Sequence, residues 1–260
     1  MTPHLVNTRL CGSLLGQMTK PFFTIGHSRR PIEEFVALLR DGDIKLVADV
    51  RRIPRSRNNP QYNKDTLPAT LNAYAIEYRH IQELGGLRNA RPVPRAVNAF
   101  WQNESFHNYA DYAIGDEFRL GLRQLRGLGH ARQCAIMCAE IVWWRCHRRI
   151  IADYLIAAGE TVIHILSKGQ RQLATSTEAL VRCPNGTLIY PLASKIVGYH
   201  QDEEKNWVAE LSCGHQQHVR HRPPFVERPW VLTEVGRAEK IGHPLVCAEC
   251  ARETQKVMCP

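Results

Sequence analysis

Within twelve residues, Met137-Cys-Ala-Glu140 and Arg145-Cys-His-Arg148 bring together two thiols, a carboxylate, an imidazole and two guanidiniums. These residue types suit chemistry on an anion. A thiol near a helix N-terminus and arginines has a lowered pKa and acts as a thiolate, which makes Cys138 the candidate nucleophile. Glu140 and His147 are suited to proton transfer. Arg145 and Arg148 can hold an anionic group through paired hydrogen bonds. The bland readings stand beside these. A Cys closing a buried strand behaves as a small inert hydrophobe, and Cys146 can serve as an inert or capping residue at a helix start. A third reading joins Cys138, Cys146 and His147 around a metal, although their spacing fits no standard zinc pattern.

A second constellation lies near the C-terminus. Cys213-Gly-His215 and Cys247-Ala-Glu-Cys250 are two tight pairs separated by a longer loop. Zinc takes four nitrogen or sulfur ligands in a tetrahedron, and two short turns with two ligands each meet that need. Cys213, His215, Cys247 and Cys250 are therefore the expected ligands of a structural zinc. Free thiols or a redox Cys-x-x-Cys are the competing readings. His218 and His221 are alternative ligands.

The elements that must position these groups follow from patterning. Phe22–Ile25 is a first strand, stopped by Gly26. Pro31 opens a helix with Ile32, Phe35, Val36 and Leu39 on one face, and Gly42 closes it. Further strands are read at 44–50, 76–81, Cys134–Cys138 and 161–166. Helices are read at 67–75, 118–128 and 147–158, the last closed by Gly159. Strands alternating with helices predict an α/β fold, a largely parallel sheet flanked by helices. Asn185-Gly186 predicts a closing hairpin between Leu180-Val181 and Leu188-Tyr190. Beyond Ser194 the composition turns to Cys, His, Pro and Trp, with short strands at 197–200 and 207–211. The expected division is a disordered extension over 1–19, an α/β domain over 20–193 and a small β-rich zinc module over 194–260.

In open parallel sheets ligands bind outside the carboxyl ends of the strands. Those ends supply His27 and Ser28, then Asp49, Arg51 and Arg52, then Glu83 with Gly85-Gly86, and lastly Cys138 and Glu140. Asp49 joins the candidate catalytic set, with capping or pairing to Arg51 as the plainer role. His27 and Ser28 are candidate anion binders; a satisfied loop histidine is the alternative. Arg51, Arg52, Arg55 and Arg57 lie within seven residues and either grip phosphate or form a solvated loop. Trp143-Trp144 either stacks on a base or packs as core or lid.

Charge is unevenly distributed. The chain of 260 residues carries a formal +9, and residues from Ser194 onward hold nine basic and nine acidic side chains. The whole excess therefore lies in residues 1–193, which points to a nucleic acid or an anionic small molecule as partner. Nine cysteines without a disulfide-framework spacing, and no apolar leader, point to a reducing, cytoplasmic setting. No stretch approaches the ~20 apolar residues that cross a bilayer.

The runs Thr24–Ser28, Val47–Arg51, Pro54–Arg57, Glu83–Gly86 and Met137–Glu140 with Cys146–Arg148 resemble, in order, the bacterial family called domain of unknown function 488, over about residues 20–192. That resemblance implies the α/β fold and the same rim residues, and no settled activity. A weaker similarity links the Asp-x-Arg and the strand–Cys–loop–helix unit to rhodanese-like domains. The Cys138 loop lacks the compact glycine-containing cradle of that group. Cys213–His221, Pro223–Phe225, Arg228–Val231 and Cys247–Cys250 resemble the small family called domain of unknown function 3565, over about 195–250, again without defined biochemistry.

Two functional readings follow. In one, the chain is an enzyme whose Cys138/Glu140/Arg rim works on an anionic substrate, a nucleotide or nucleic acid. In the other it binds nucleic acid or regulates without catalysis, its arginines gripping phosphate and its zinc module meeting a partner.

Overall fold

A computed structural model describes residues 20–220 and 227–258 of the chain. The expected extension at 1–19 and the alternative ligand His221 lie outside the described residues. The larger part is a six-stranded sheet made of β1 (Phe22–Gly26), β2 (Leu46–Asp49), β3 (Glu77–His80), β4 (Cys134–Cys138), β5 (Val162–Ser167) and β6 (Gln170–Leu173). Its order is β3-β2-β4-β1-β5-β6. All pairings are parallel except that of β5 with β6. The fold class read from the sequence is thus present, with β6 as an exposed antiparallel edge that patterning did not reveal.

Strand parity sorts the core into two halves. Phe22, Leu46, Ala48, Val50, Cys134, Ile136 and Cys138 face one side of the sheet. There they meet α3 (Glu104–Ala113), α4 (Asp116–Ala131) and α5 (Arg148–Ala157). Phe23, Ile25, Val47, Ala135 and Met137 face the other side, covered by α1 (Ile32–Asp41) and α2 (Leu67–Asn72). Successive strand residues point to opposite faces, so each strand supplies both halves.

Several boundaries differ from the expected ones. α2 ends at Asn72 rather than near Ala75, because Ala75 takes a left-handed φ of 57° to turn the chain into β3. α4 runs from Asp116 to Ala131, longer than its apolar stripe. α3 was not read from the sequence. Asn103 caps it, its side chain accepting from the backbone N–H groups of Ser105 and Phe106 at 3.0 and 3.3 Å. The expected hairpin is present as β7 (Val181–Arg182) and β8 (Leu188–Ile189), with Gly186 at φ 82° in its turn.

The C-terminal part is an antiparallel sheet ordered β11-β10-β9-β12. Its strands are β9 (Ser194–Gln201), β10 (Trp207–Leu211), β11 (Gln216–His218) and β12 (Pro244–Leu245), accompanied by α6 (Glu234–Lys240) and α7 (Ala248–Met258). Its own core is thin: Ile196, Ala209, Leu211, Val219, Val231 and Cys247. Ala251 of α7 packs with Val97, Val181, Cys183 and Ile189 of the larger part. Among the described residues no helix is long and apolar enough to cross a membrane.

Candidate functional site

Two cavities open at the carboxyl edge of the sheet, and Arg51, Ile53 and Ala139 line both. The first has a volume of about 380 Å³ and lies on the α3–α5 side. Cys138, Cys146, His147, Glu140, Arg52, Arg145 and Gly86 are in its wall, together with Ser105, Phe106 and Tyr109 of α3. The second, about 340 Å³, is lined by His27, Ser28, Arg29, Arg55, Ser56 and Asn59.

The first cavity holds the tighter chemistry. Cys138 ends β4 and Cys146 precedes α5; the loop between them returns both sulfurs to one point. The Cys146 sulfur is 3.7 Å and the Cys138 sulfur 4.0 Å from Nδ1 of His147. Nε2 of His147 donates to the Val50 carbonyl at 2.9 Å. That bond places the ring proton on Nε2 and leaves the Nδ1 lone pair facing the sulfurs. Tyr109 packs against the imidazole with ring centroids 4.9 Å apart. Gly86 is required beside it, since a Cβ there would stand 2.9 Å from Nδ1.

Arg148 defines the charge of this centre. It is 1% exposed, its Nε donates to the Cys146 sulfur at 3.3 Å, and its Nη2 donates to the Glu140 carbonyl. No carboxylate pairs with it among the described residues. Arginine stays charged in a protein, and a buried charge needs a partner. The Cys146 sulfur, as thiolate, is the available one. In Cys146 burial opposes ionisation, but the hydrogen bond from Cys138 and the Arg148 guanidinium outweigh it and hold the thiol well below its ordinary range. The same hydrogen bond, with burial, pushes Cys138 well above that range. The expectation of a lowered thiol at Cys138 is therefore corrected: the geometry gives the anion to Cys146 and leaves the proton on Cys138. Arg148 likewise points inward, toward the Cys146 sulfur, while Arg145 and Arg52 are the exposed guanidiniums at the cavity wall.

Asp49 stands apart from this group. It aligns with Met137 in the β2–β4 register and faces α1 and α2, opposite Cys138. It is fully buried, accepts from Nε and Nη2 of Arg51 at 2.9 and 2.6 Å, and accepts from the Tyr78 hydroxyl at 2.7 Å. Asp49 lines neither cavity and acts by fixing Arg51. His27 stacks on Tyr62 at 4.1 Å, and its Nε2 accepts from Arg51 at 3.2 Å while its Nδ1 donates to the Ser28 carbonyl at 2.9 Å. Burial lowers its pKa to about 4, so it is a neutral wall residue. The loop arginines disperse. Arg55 pairs with Asp65 at 3.1 Å, Arg52 donates to the Leu87 carbonyl at 2.9 Å, and Arg57 is exposed and lines neither cavity. Trp143 packs flat on His164 at 4.3 Å, which favours packing over base stacking for that ring.

In the C-terminal part the four expected ligands converge. The turn from β10 to β11 carries Cys213 and His215, with Gly214 at φ 85° between them. Cys247 and Cys250 stand at the start of α7. The ligand atoms of Cys213, His215, Cys247 and Cys250 lie within 4.8 Å of one another, a set able to hold a metal ion. His218 is turned away, its Nε2 2.7 Å from Asp202.

Comparison with known families matches both parts. Residues 31–155 match the family described as domain of unknown function DUF488, and residues 197–254 match the family described as protein of unknown function (DUF3565). No curated protein and no solved structure matches the chain.

Proposed function

We propose that this fusion of a DUF488 domain with a DUF3565 module is an enzyme that works on an anionic substrate of the nucleotide or nucleic-acid class. The reacting centre is Cys138, Cys146 and His147, with Glu140 at the cavity wall. The observation that carries the reading is the buried Arg148 whose counterion is a thiol sulfur. Holding an anionic sulfur and a bare imidazole nitrogen in an interior that opens on a cavity is costly, and such groups concentrate at functional sites. Arg52 and Arg145 at the mouth, and the +9 excess of the larger part, favour a negatively charged substrate. The C-terminal set is proposed to bind one structural zinc, because three thiols and an imidazole match its preferred donors and the surrounding core is thin.

The test uses the full chain with a panel of nucleoside monophosphates, pyrophosphate and short single-stranded oligonucleotides, scored for binding and turnover. Turnover of at least one member is expected, lost in Cys146→Ala and with binding weakened about tenfold, ~1.4 kcal/mol, in Arg52→Ala/Arg145→Ala. Salt-sensitive oligonucleotide binding that is indifferent to Cys146 would instead establish the non-catalytic reading, which the exposed Arg29, Arg52, Arg55 and Arg57 favour.

A further inference from the structure

We infer that Cys138, Cys146 and His147 are the three protein ligands of a second divalent metal, zinc, whose fourth position opens on the larger cavity. The inference rests on the proposed enzymatic reading of this site and says what its centre is. Two thiols and an imidazole are the donors zinc prefers. The three donor atoms lie within 4.8 Å of one another, as do the ligand atoms of the four-residue set of the C-terminal part. Zn–S bonds of about 2.3 Å and a Zn–N bond of about 2.0 Å at tetrahedral angles separate the donors by roughly 3.5–3.8 Å. The observed 3.7 and 4.0 Å separations from Nδ1 need only a small contraction.

Surrounding contacts are those of a metal-ligating histidine. Its second nitrogen is tied to the Val50 carbonyl, which fixes the tautomer and aims Nδ1 at the sulfurs. Gly86 leaves room beside that nitrogen, and Tyr109 holds the ring plane. Arg148 donates to the Cys146 sulfur at 3.3 Å, as hydrogen-bond donors around metal-bound thiolates do.

Three ligands and an open position distinguish a catalytic from a structural zinc. Among the described residues no fourth His, Cys, Asp or Glu joins the set. The cavity wall instead offers Glu140, Arg52 and Arg145. Charge gives the site its selectivity. Two thiolates neutralise a divalent ion, and the buried guanidinium of Arg148 leaves the assembly one unit positive. The fourth position then takes a water, or an anionic oxygen of the substrate in its place, with the mouth arginines steering the anion inward.

The decisive measurement is metal content of the full chain purified without chelators, with cobalt substitution as a second readout. Two zinc per chain are expected, falling to one in Cys146→Ser and in Cys138→Ser. Cobalt titration of the apoprotein should give thiolate-to-cobalt absorption through two equivalents, with the second equivalent shifted by added pyrophosphate at its open position. One zinc per chain in the wild type, together with a cobalt signal that saturates at one equivalent, overturns the inference even where a serine variant fails to fold. Anion turnover that persists in such a one-zinc protein leaves the enzymatic reading standing and removes only the metal. Two zinc with no anion binding or turnover does the reverse.

Discussion

Two buried histidines make the larger domain acid-labile, and the size of the effect follows from their surroundings. His27 and His164 are 2% and 1% exposed. Burial is the largest cause lowering each ring from 6.5 to about 4; Arg51 adds to it at His27, and Arg148 at His164. His164 has one partner, the Thr24 hydroxyl 2.7 Å from Nδ1, while its Nε2 is buried without one. Trp143 covers the ring face. A proton on His164 would have no acceptor at Nε2.

In the unfolded chain both rings protonate near pH 6.5, whereas the folded protein resists until about 4. Between those values the unfolded state binds more protons, so stability is full above pH 6.5 and falls as pH drops toward 4. At about 1.4 kcal/mol per pH unit, each ring costs roughly 2 kcal/mol by pH 5 and about 3 by pH 4. Two rings together remove a large part of the ~5–15 kcal/mol that holds a domain folded. His164→Gln keeps a polar group for Thr24 and cannot titrate. Urea unfolding of both proteins at pH 7, 6 and 5 should show the variant losing about 2 kcal/mol less than the wild type over that range. Comparing the two proteins at each pH cancels proton uptake by every other group. A wild-type-to-variant difference that stays constant from pH 7 to pH 5 refutes the argument.

Other outcomes follow from the same contacts. Cys250→Ser should lower the zinc content by one per chain and expose residues beyond Ser194 to limited proteolysis, because the core of that part is thin and the proposed zinc would staple it; unchanged digestion would assign the cluster no structural part. Gly86→Ala should cost about 1–3 kcal/mol by overpacking and weaken metal retention at His147, read by urea unfolding and metal analysis, since the added methyl meets Nδ1 at 2.9 Å. Neutralising Arg52, Arg55 and Arg57 should flatten the salt dependence of oligonucleotide binding, and an unchanged slope would reduce that loop to a structural element.

Much of the fold was legible because the central strands β1, β2 and β4 are short, buried and largely apolar runs. Cys134–Cys138 lies where the sequence reads it, and β1 runs one residue past the expected Phe22–Ile25, through Gly26. α3 was not, for a physical reason. Its inward face carries His107, Asp111 and two tyrosines beside its alanines, so the apolar stripe is broken by polar groups that are buried in company. Asp111 accepts from Asn98 at 2.7 Å, and the Tyr109 hydroxyl donates to the Leu84 carbonyl at 2.7 Å. The Asn103 cap followed by Phe106, Tyr109, Ala110 and Ala113 was the available signal. Missing that helix also hid one wall of the cavity.

The candidate site shows where strand-end reasoning stops. Convergence at the rim was readable, since parallel strands end together. Which residues meet was not taken from the pattern, although parity contains it. Val50 shares a face with Cys138, and Asp49 the opposite one, so the aspartate that looked like a partner of the thiol lies across the sheet from it. The charge balance on each face then follows. On the α1–α2 side Asp49 neutralises Arg51, and the pair is complete. On the α3–α5 side Arg148 enters with no carboxylate, and the deficit falls on sulfur. A guanidinium two residues after Cys146 reads in sequence as an anion grip, but α5 begins at Arg148, and its first turn directs that side chain back under the loop toward the sulfur and the Glu140 carbonyl. The Cys138 thiol hydrogen-bonded to Cys146, with the Arg148 guanidinium donating to that sulfur, therefore makes Cys146, rather than the strand-end Cys138, the group of the pair held toward the anion.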